Sequence, residues 1–141
     1  MLLLDDRDRL LLLRSGAADA GWWFTVGGGV EAGETGEQAA AREVREETGL
    51  VLAPGVLGPV VHRRRVCFPW GGRLLDQDEE FRVARVPAFT VDTGGFDAVE
   101  RAGVTATRWW TLPELRGTRD RLAPPALPAL VAAVLAGRGP G

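Results

Sequence analysis

Leucine-rich runs separated by short charged breaks open the chain. Residues 1–4 and 10–14 are apolar runs parted by Asp5, Asp6, Arg7, Asp8 and Arg9, a pattern that predicts a hairpin entering a sheet. Residues 15–21 are small and polar and predict a loop. Residues 22–25 predict a short strand, whose alternation sends Trp22 and Trp23 to opposite faces. One of the two then belongs to the core and the other to a partly exposed lid, and either ring could stack on a base. Residues 26–34 hold four glycines in nine positions, which no strand or helix interior would choose.

A helix follows. Thr35-x-x-Gln38 reads as a capping box, so the helix starts at Thr35. Gly49, just past Thr48, stands where a C-terminal glycine belongs. Ala40, Ala41, Val44 and Thr48 form a narrow apolar stripe, and Ala39 lies one turn before Glu43 on the acidic side. Residues 57–68 and 73–86 are β-rich and joined by Pro69-Trp70-Gly71-Gly72, which predicts a long hairpin. Residues 87–104 lack periodicity and predict a long loop. Residues 105–111 predict a last strand, Leu112-Pro-Glu-Leu115 a short helix, and residues 126–136 an apolar helix that covers one sheet face. Together these elements predict a mixed α/β fold in one domain over residues 1–136, with a disordered tail at 137–141.

The 141 residues suffice for one domain with a real core and are too few for two ordinary ones. A net charge of −2 gives no general pull toward nucleic acid or an anionic membrane. No apolar run reaches the ~18 residues needed to cross a bilayer, and the opening segment has the wrong order for a secretory signal. The single cysteine, Cys67, excludes an internal disulfide framework and points to the cytoplasm; beside Phe68 it reads as a buried thiol. Every basic residue except His62 is arginine, so any basic contact to phosphate falls to Arg.

Chemistry concentrates on the acidic helix. Glu43, Glu46 and Glu47 stand at i, i+3 and i+4 and project from one side. Like charges at that spacing cost the helix about 0.2–0.5 kcal/mol per pair. A hard divalent cation such as Mg²⁺ or Mn²⁺ reverses that sign, because it prefers carboxylate and carbonyl oxygens.

The full spacing is Gly28, five residues, Glu34, seven residues, Arg42-Glu43-Val44, one residue, Glu46-Glu47, one residue, Gly49-Leu50. It resembles the Nudix box at every specified position, an agreement expected by chance about once in 10⁸ starting sites. Val26 stands where that family often has a proline. The resemblance implies an α/β/α sandwich with a mixed sheet, and a Mg²⁺- or Mn²⁺-dependent pyrophosphohydrolase acting on a nucleoside diphosphate linked to some moiety X. It implies a nucleotide-type small-molecule substrate, no membrane or specific nucleic-acid partner, and a possible homodimer. Carried over by position, Glu43, Glu46 and Glu47 would hold the metal with the Gly27 carbonyl. Arg42 would orient a glutamate, Glu34 would brace the loop-to-helix junction, and Gly28 and Gly49 would serve the motif's backbone. The general base is left open between Glu100, with Asp97 beside it on the long loop, and Glu43 or Glu46 in the box.

Outside the box, Arg63, Arg64 and Arg65 offer a phosphate or ribose contact, with Arg64 facing opposite to its neighbours. Arg64, Trp23 and Trp70 are the substrate-binding candidates. Asp76, Asp78, Glu79 and Glu80 could add a metal ligand, Glu79 or Glu80 foremost, or simply form an exposed acidic turn. His62 has no His or Cys neighbour at ligand spacing and reads as structural. Trp109 and Trp110 face opposite ways, with at least one in the core. A catalytically silent nucleotide sensor of the same fold is the rival reading.

Overall fold

A computed structural model describes residues 1–92, 94–95 and 103–137, with Trp70 as backbone alone. The elements run β1 (Leu2–Leu4), β2 (Leu10–Ser15), β3 (Trp22–Thr25), α1 (Gly36–Thr48), β4 (Leu57–Trp70), β5 (Arg73–Arg85), β6 (Val104–Trp110), α2 (Leu112–Gly117), β7 (Arg121–Ala123) and α3 (Leu127–Leu135). The strands form a seven-stranded sheet in the order β4-β5-β1-β2-β3-β7, with β6 paired to β2. β1 with β5 and β3 with β7 are parallel pairs, and the other pairs are antiparallel, so the sheet is mixed as expected.

The leucine runs explain why both faces carry helices. A strand buried on both sides reads as a continuous apolar run instead of an alternating one. Leu2, Leu4, Leu10 and Leu12 enter one core with Leu115 of α2 and Leu127 and Val131 of α3. Leu3, Leu11 and Leu13 enter the other, with Val44 of α1. The result is the helix, sheet, helix layering that the sequence predicts. Among the described residues no helix is long and apolar enough to cross a membrane.

Between β1 and β2 the carboxylate of Asp5 is fully buried. Its Oδ1 accepts from the backbone N–H groups of Arg7 (3.0 Å) and Arg9 (2.8 Å), and its Oδ2 from Arg9 Nε at 2.8 Å. Burial pushes this carboxyl up, but the bonds from Arg9 and Arg7 outweigh burial and hold it below the usual aspartate range. A depressed folded pKa means that the stabilisation is present above the ordinary aspartate pKa and is lost as pH falls through the depressed one. Asp5→Asn is therefore expected to cost about 2 kcal/mol at neutral pH. The gap to wild type should narrow in thermal melts taken below about pH 4. An equal gap at pH 7 and pH 3 would show that the charge is immaterial.

Three local expectations change. Cys67 is exposed, because alternation along β4 puts it on the outer side of a two-stranded ribbon that no helix covers there. On α1 Ala41 is exposed, and the buried positions are Ala39, Glu43, Val44, Glu47 and Thr48; the acidic side of the helix faces inward. β7 is an additional strand, too short to register as a pattern. His62 packs its ring 5.7 Å from Phe81, in keeping with a structural role. The tail beyond Gly137 lies outside the described residues.

Candidate active site

The direction of α1 is set at its two ends. Thr35 Oγ1 accepts from Gln38 N at 3.1 Å while Gln38 Oε1 accepts from Thr35 N at 2.9 Å, closing the capping box. At the other end Gly49 takes the left-handed conformation (φ 78°) and its N–H reaches the Arg45 carbonyl at 2.9 Å. With the helix fixed this way Glu43 and Glu47 are 7% and 6% exposed, while the Glu46 side chain keeps 40% exposure. Two buried carboxylates are tolerated only where charge or hydrogen bonds compensate.

Arg42 provides the compensation for Glu43. Its Nε and Nη2 grip Glu34 (2.8 and 3.2 Å), Nη2 also donates to the Gly29 carbonyl (2.8 Å), and Nη1 donates to Glu43 (2.9 Å) and Glu46 (3.1 Å). All five guanidinium donors are thus used. Glu34 in turn accepts from the Glu31 N–H at 2.9 Å, tying the glycine-rich loop to the helix. The Glu34 bond raises Arg42 further above its ordinary pKa, and Arg42 holds Glu34 below the usual carboxylate range. Burial pushes Glu43 up in spite of Arg42; Glu46 adds to the rise and a hydrogen bond with Glu47 opposes it.

Gly28 passes directly over this cluster. A Cβ at that position would overlap the Glu43 carboxylate, so the loop approaches as closely as it does only because the side chain is missing. Gly28→Ala is expected to displace Glu43 and lower kcat about 10- to 100-fold with little change in fold. Circular dichroism and kcat measured on one preparation test this, and unchanged kcat would detach the loop from the reaction. The neighbouring Gly27 N–H donates to Glu47 at 3.3 Å.

The donor set is chemically suited to a hard divalent cation: three carboxylates beside a loop rich in backbone oxygens. Among the described residues no three His, Cys, Asp or Glu side chains stand in ligating geometry. A single Arg42 nitrogen holds Glu43 and Glu46 together.

A cleft of about 970 Å³ opens beside the cluster, a size suited to a nucleotide. Gly27, Gly28 and Gly29 of the loop, Ala39 and Ala40 of α1, and Trp22 and Phe24 of β3 line it. Residues 77–82 of β5, Phe81 among them, line it as well. Arg64 also borders it, with its Nε donating to Glu79 at 2.6 Å. Glu80 is held by Arg63 at 3.1 Å, and Arg65 pairs with Asp76. The structure therefore brings Arg64, Glu79 and Glu80 to the box.

It does not bring Trp23. That ring is 7% exposed, packs edge-on against Trp110 at 5.1 Å, and donates from Nε1 to Asp120 at 3.0 Å. The physical reason is the polar partner waiting behind the sheet, which lets the indole bury without an orphaned N–H. Trp22, 37% exposed, is the cleft residue instead. Period-two alternation separates the two rings in sequence, but the partner that decides between them is 97 residues away. Trp110 is buried, and Trp109 packs on Phe89 at 5.6 Å. Trp70 pairs with Arg73 at the ribbon tip, and its side chain lies outside the described residues, as do Asp97 and Glu100. The loop that carries these two acids begins against the end of α1. Asp92 N donates to the Thr48 carbonyl at 2.9 Å, and a Cβ on Gly95 would stand 2.6 Å from the Glu46 carbonyl.

The NUDIX domain family model matches residues 1–131. A 93-residue stretch is 38% identical to the NAD-capped RNA hydrolase NudC of Stutzerimonas stutzeri (strain A1501), covering 60% of this chain and 34% of that protein. The chain thus spans about a third of that relative's length. The RNA pyrophosphohydrolase of Erythrobacter litoralis (strain HTCC2594) is 28% identical over 124 residues, 80% of this chain and 74% of that one. Among solved structures, the E. coli ORF135 protein aligns with TM-score 0.57 and 27% identity over 96% of this chain and 86% of that one. With the glycine loop of the box lining the cleft and its carboxylates held against that loop, and the family match running almost from end to end, the chain belongs to the NUDIX domain family.

Proposed function

We propose that the chain hydrolyses the pyrophosphate bond of a nucleoside diphosphate linked to X, with Mg²⁺ or Mn²⁺ bound by Glu43, Glu46 and Glu47. The observation that carries this is the pair of buried α1 carboxylates, Glu43 and Glu47, held against the Gly27–Gly29 loop that lines a nucleotide-sized cleft. The bound cation would neutralise the charge that develops on phosphate oxygens and lower the pKa of a bound water. The protein's own part is positioning and electrostatics. Arg42 fixes the carboxylates relative to the loop, and Gly28 lets the loop close over Glu43. Glu100 takes the proton from water in our reading, with Glu43 and Glu46 as the alternatives. Glu100→Gln retaining nearly full kcat would remove Glu100 from that role.

The substrate class is open to one screen. Oxidised or non-canonical nucleoside triphosphates, nucleotide sugars such as ADP-ribose, and dinucleoside polyphosphates form the panel. NAD-capped RNA joins it because one relative bears that name. Hydrolysis is followed with Mg²⁺ or Mn²⁺ at alkaline pH, with products identified by mass. Cleavage within the phosphate chain is expected. No turnover of any compound would favour the sensor reading.

A further inference from the structure

Resting on the reading just proposed, we infer that Gly95, outside the box, is a positioning residue for Glu46: its missing side chain lets a distant part of the backbone seat against the last turn of α1 and fix the carboxylates that leave it. That turn is held from outside the helix. The helical ladder closes with the Gly49 N–H on the Arg45 carbonyl at 2.9 Å, so the carbonyls of Glu46, Glu47 and Thr48 lie beyond it. Leu50 N turns to Thr48 Oγ1 at 3.2 Å, and the Thr48 carbonyl accepts from Asp92 N at 2.9 Å. The end of the helix that presents Glu46 and Glu47 is therefore capped by a residue far along the chain.

Two glycines make the contact reciprocal. A Cβ on Gly49 would stand 2.9 Å from the Asp92 Cβ, and a Cβ on Gly95 would stand 2.6 Å from the Glu46 carbonyl oxygen and 3.2 Å from its Cα. The two positions differ in why they are glycine. Gly49 takes φ +78°, which disfavours a side chain whatever the space. Gly95 lies outside the left-handed region, so its own backbone would accept alanine; the backbone of Glu46 would not. Backbone cannot swing aside as the end of a side chain can, so a methyl group there displaces either its own segment or the last turn of α1. Glu46 sends its carboxylate from that turn to Arg42 Nη1 at 3.1 Å, and Glu47 is the next residue. A shift of the turn thus reaches the charge cluster without any change inside the box. Gly94 supplies the contrast: a Cβ there would meet the Asp92 Oδ1 at 3.0 Å, the end of a side chain that can rotate away.

The test compares Gly95→Ala, Gly95→Val and Gly94→Ala with wild type in the full chain. Mn²⁺ binding is titrated by calorimetry, and thermal melts are taken without metal. The Mn²⁺ dissociation constant is expected to rise about tenfold in Gly95→Ala and further in Gly95→Val, while Gly94→Ala stays within about threefold of wild type. A merely structural role would lower the metal-free Tm of Gly95→Ala and leave its Mn²⁺ affinity where it is. Unchanged affinity in Gly95→Ala and Gly95→Val, or an equal loss in Gly94→Ala, overturns the proposal. A wild type that binds Mn²⁺ and hydrolyses nothing would sink the hydrolase reading alone; one that binds no Mn²⁺ would sink the metal assignment and this inference with it.

Discussion

Glu47→Gln is expected to lower kcat about 100- to 1,000-fold and to leave the metal-free protein at least as stable as wild type. Glutamine keeps an oxygen for the Gly27 N–H, which Glu47 accepts at 3.3 Å, and keeps the volume of a side chain that is 6% exposed. What it removes is one of two adjacent buried carboxylates, and with it a proposed ligand of the cation that would neutralise charge on the phosphates. Two measurements separate these effects. Steady-state kinetics with saturating Mg²⁺ gives the loss in kcat, and thermal melts with and without Mg²⁺ show the metal-induced rise in Tm disappearing. Activity within about threefold of wild type, in this variant and in Glu46→Gln, would overturn the metal assignment.

Arg42→Ala is expected to cost about 100-fold in kcat and about 1–2 kcal/mol of stability, the latter kept small because the guanidinium is 23% exposed. Its removal leaves Glu34, Glu43 and Glu46 without their shared donor and frees the Gly29 carbonyl. Glu43, already pushed up by burial, loses the partner that resists the rise and becomes easier to protonate. The acid limb of the kcat profile should move to higher pH. Arg42→Lys should recover little, since a point charge cannot span four acceptor groups on three sides. Full recovery by lysine would show that only the charge matters.

The layered fold was legible because its signals are local. The capping box at Thr35 and Gln38 and the glycine at 49 bound α1 as their spacing predicts, and uninterrupted leucine runs announce strands covered on both sides. The family followed from nine positions in one stretch. What the chain conceals is long-range. Alternation shows that Trp22 and Trp23 diverge, but only Asp120 and Trp110 decide which one buries. Cys67 looks like a core thiol by its neighbours and is exposed because its strand runs out beyond the helices. Ala41 belongs to the apolar stripe by composition, yet the buried sector of α1 includes Ala39, Glu43, Val44, Glu47 and Thr48.

Asp5 carries one more implication. In strands made of Leu2-Leu3-Leu4 and Leu10 to Leu13, sliding one strand past the other by a single residue replaces leucine with leucine on both faces. Hydrophobic pattern normally pins strand register, because a slip turns polar groups inward; here it is silent. The buried carboxylate between the two strands, bonded to the Arg7 and Arg9 N–H groups, can meet its partners in one alignment alone. A single charged side chain thus acts as the index mark for a pair of otherwise interchangeable strands.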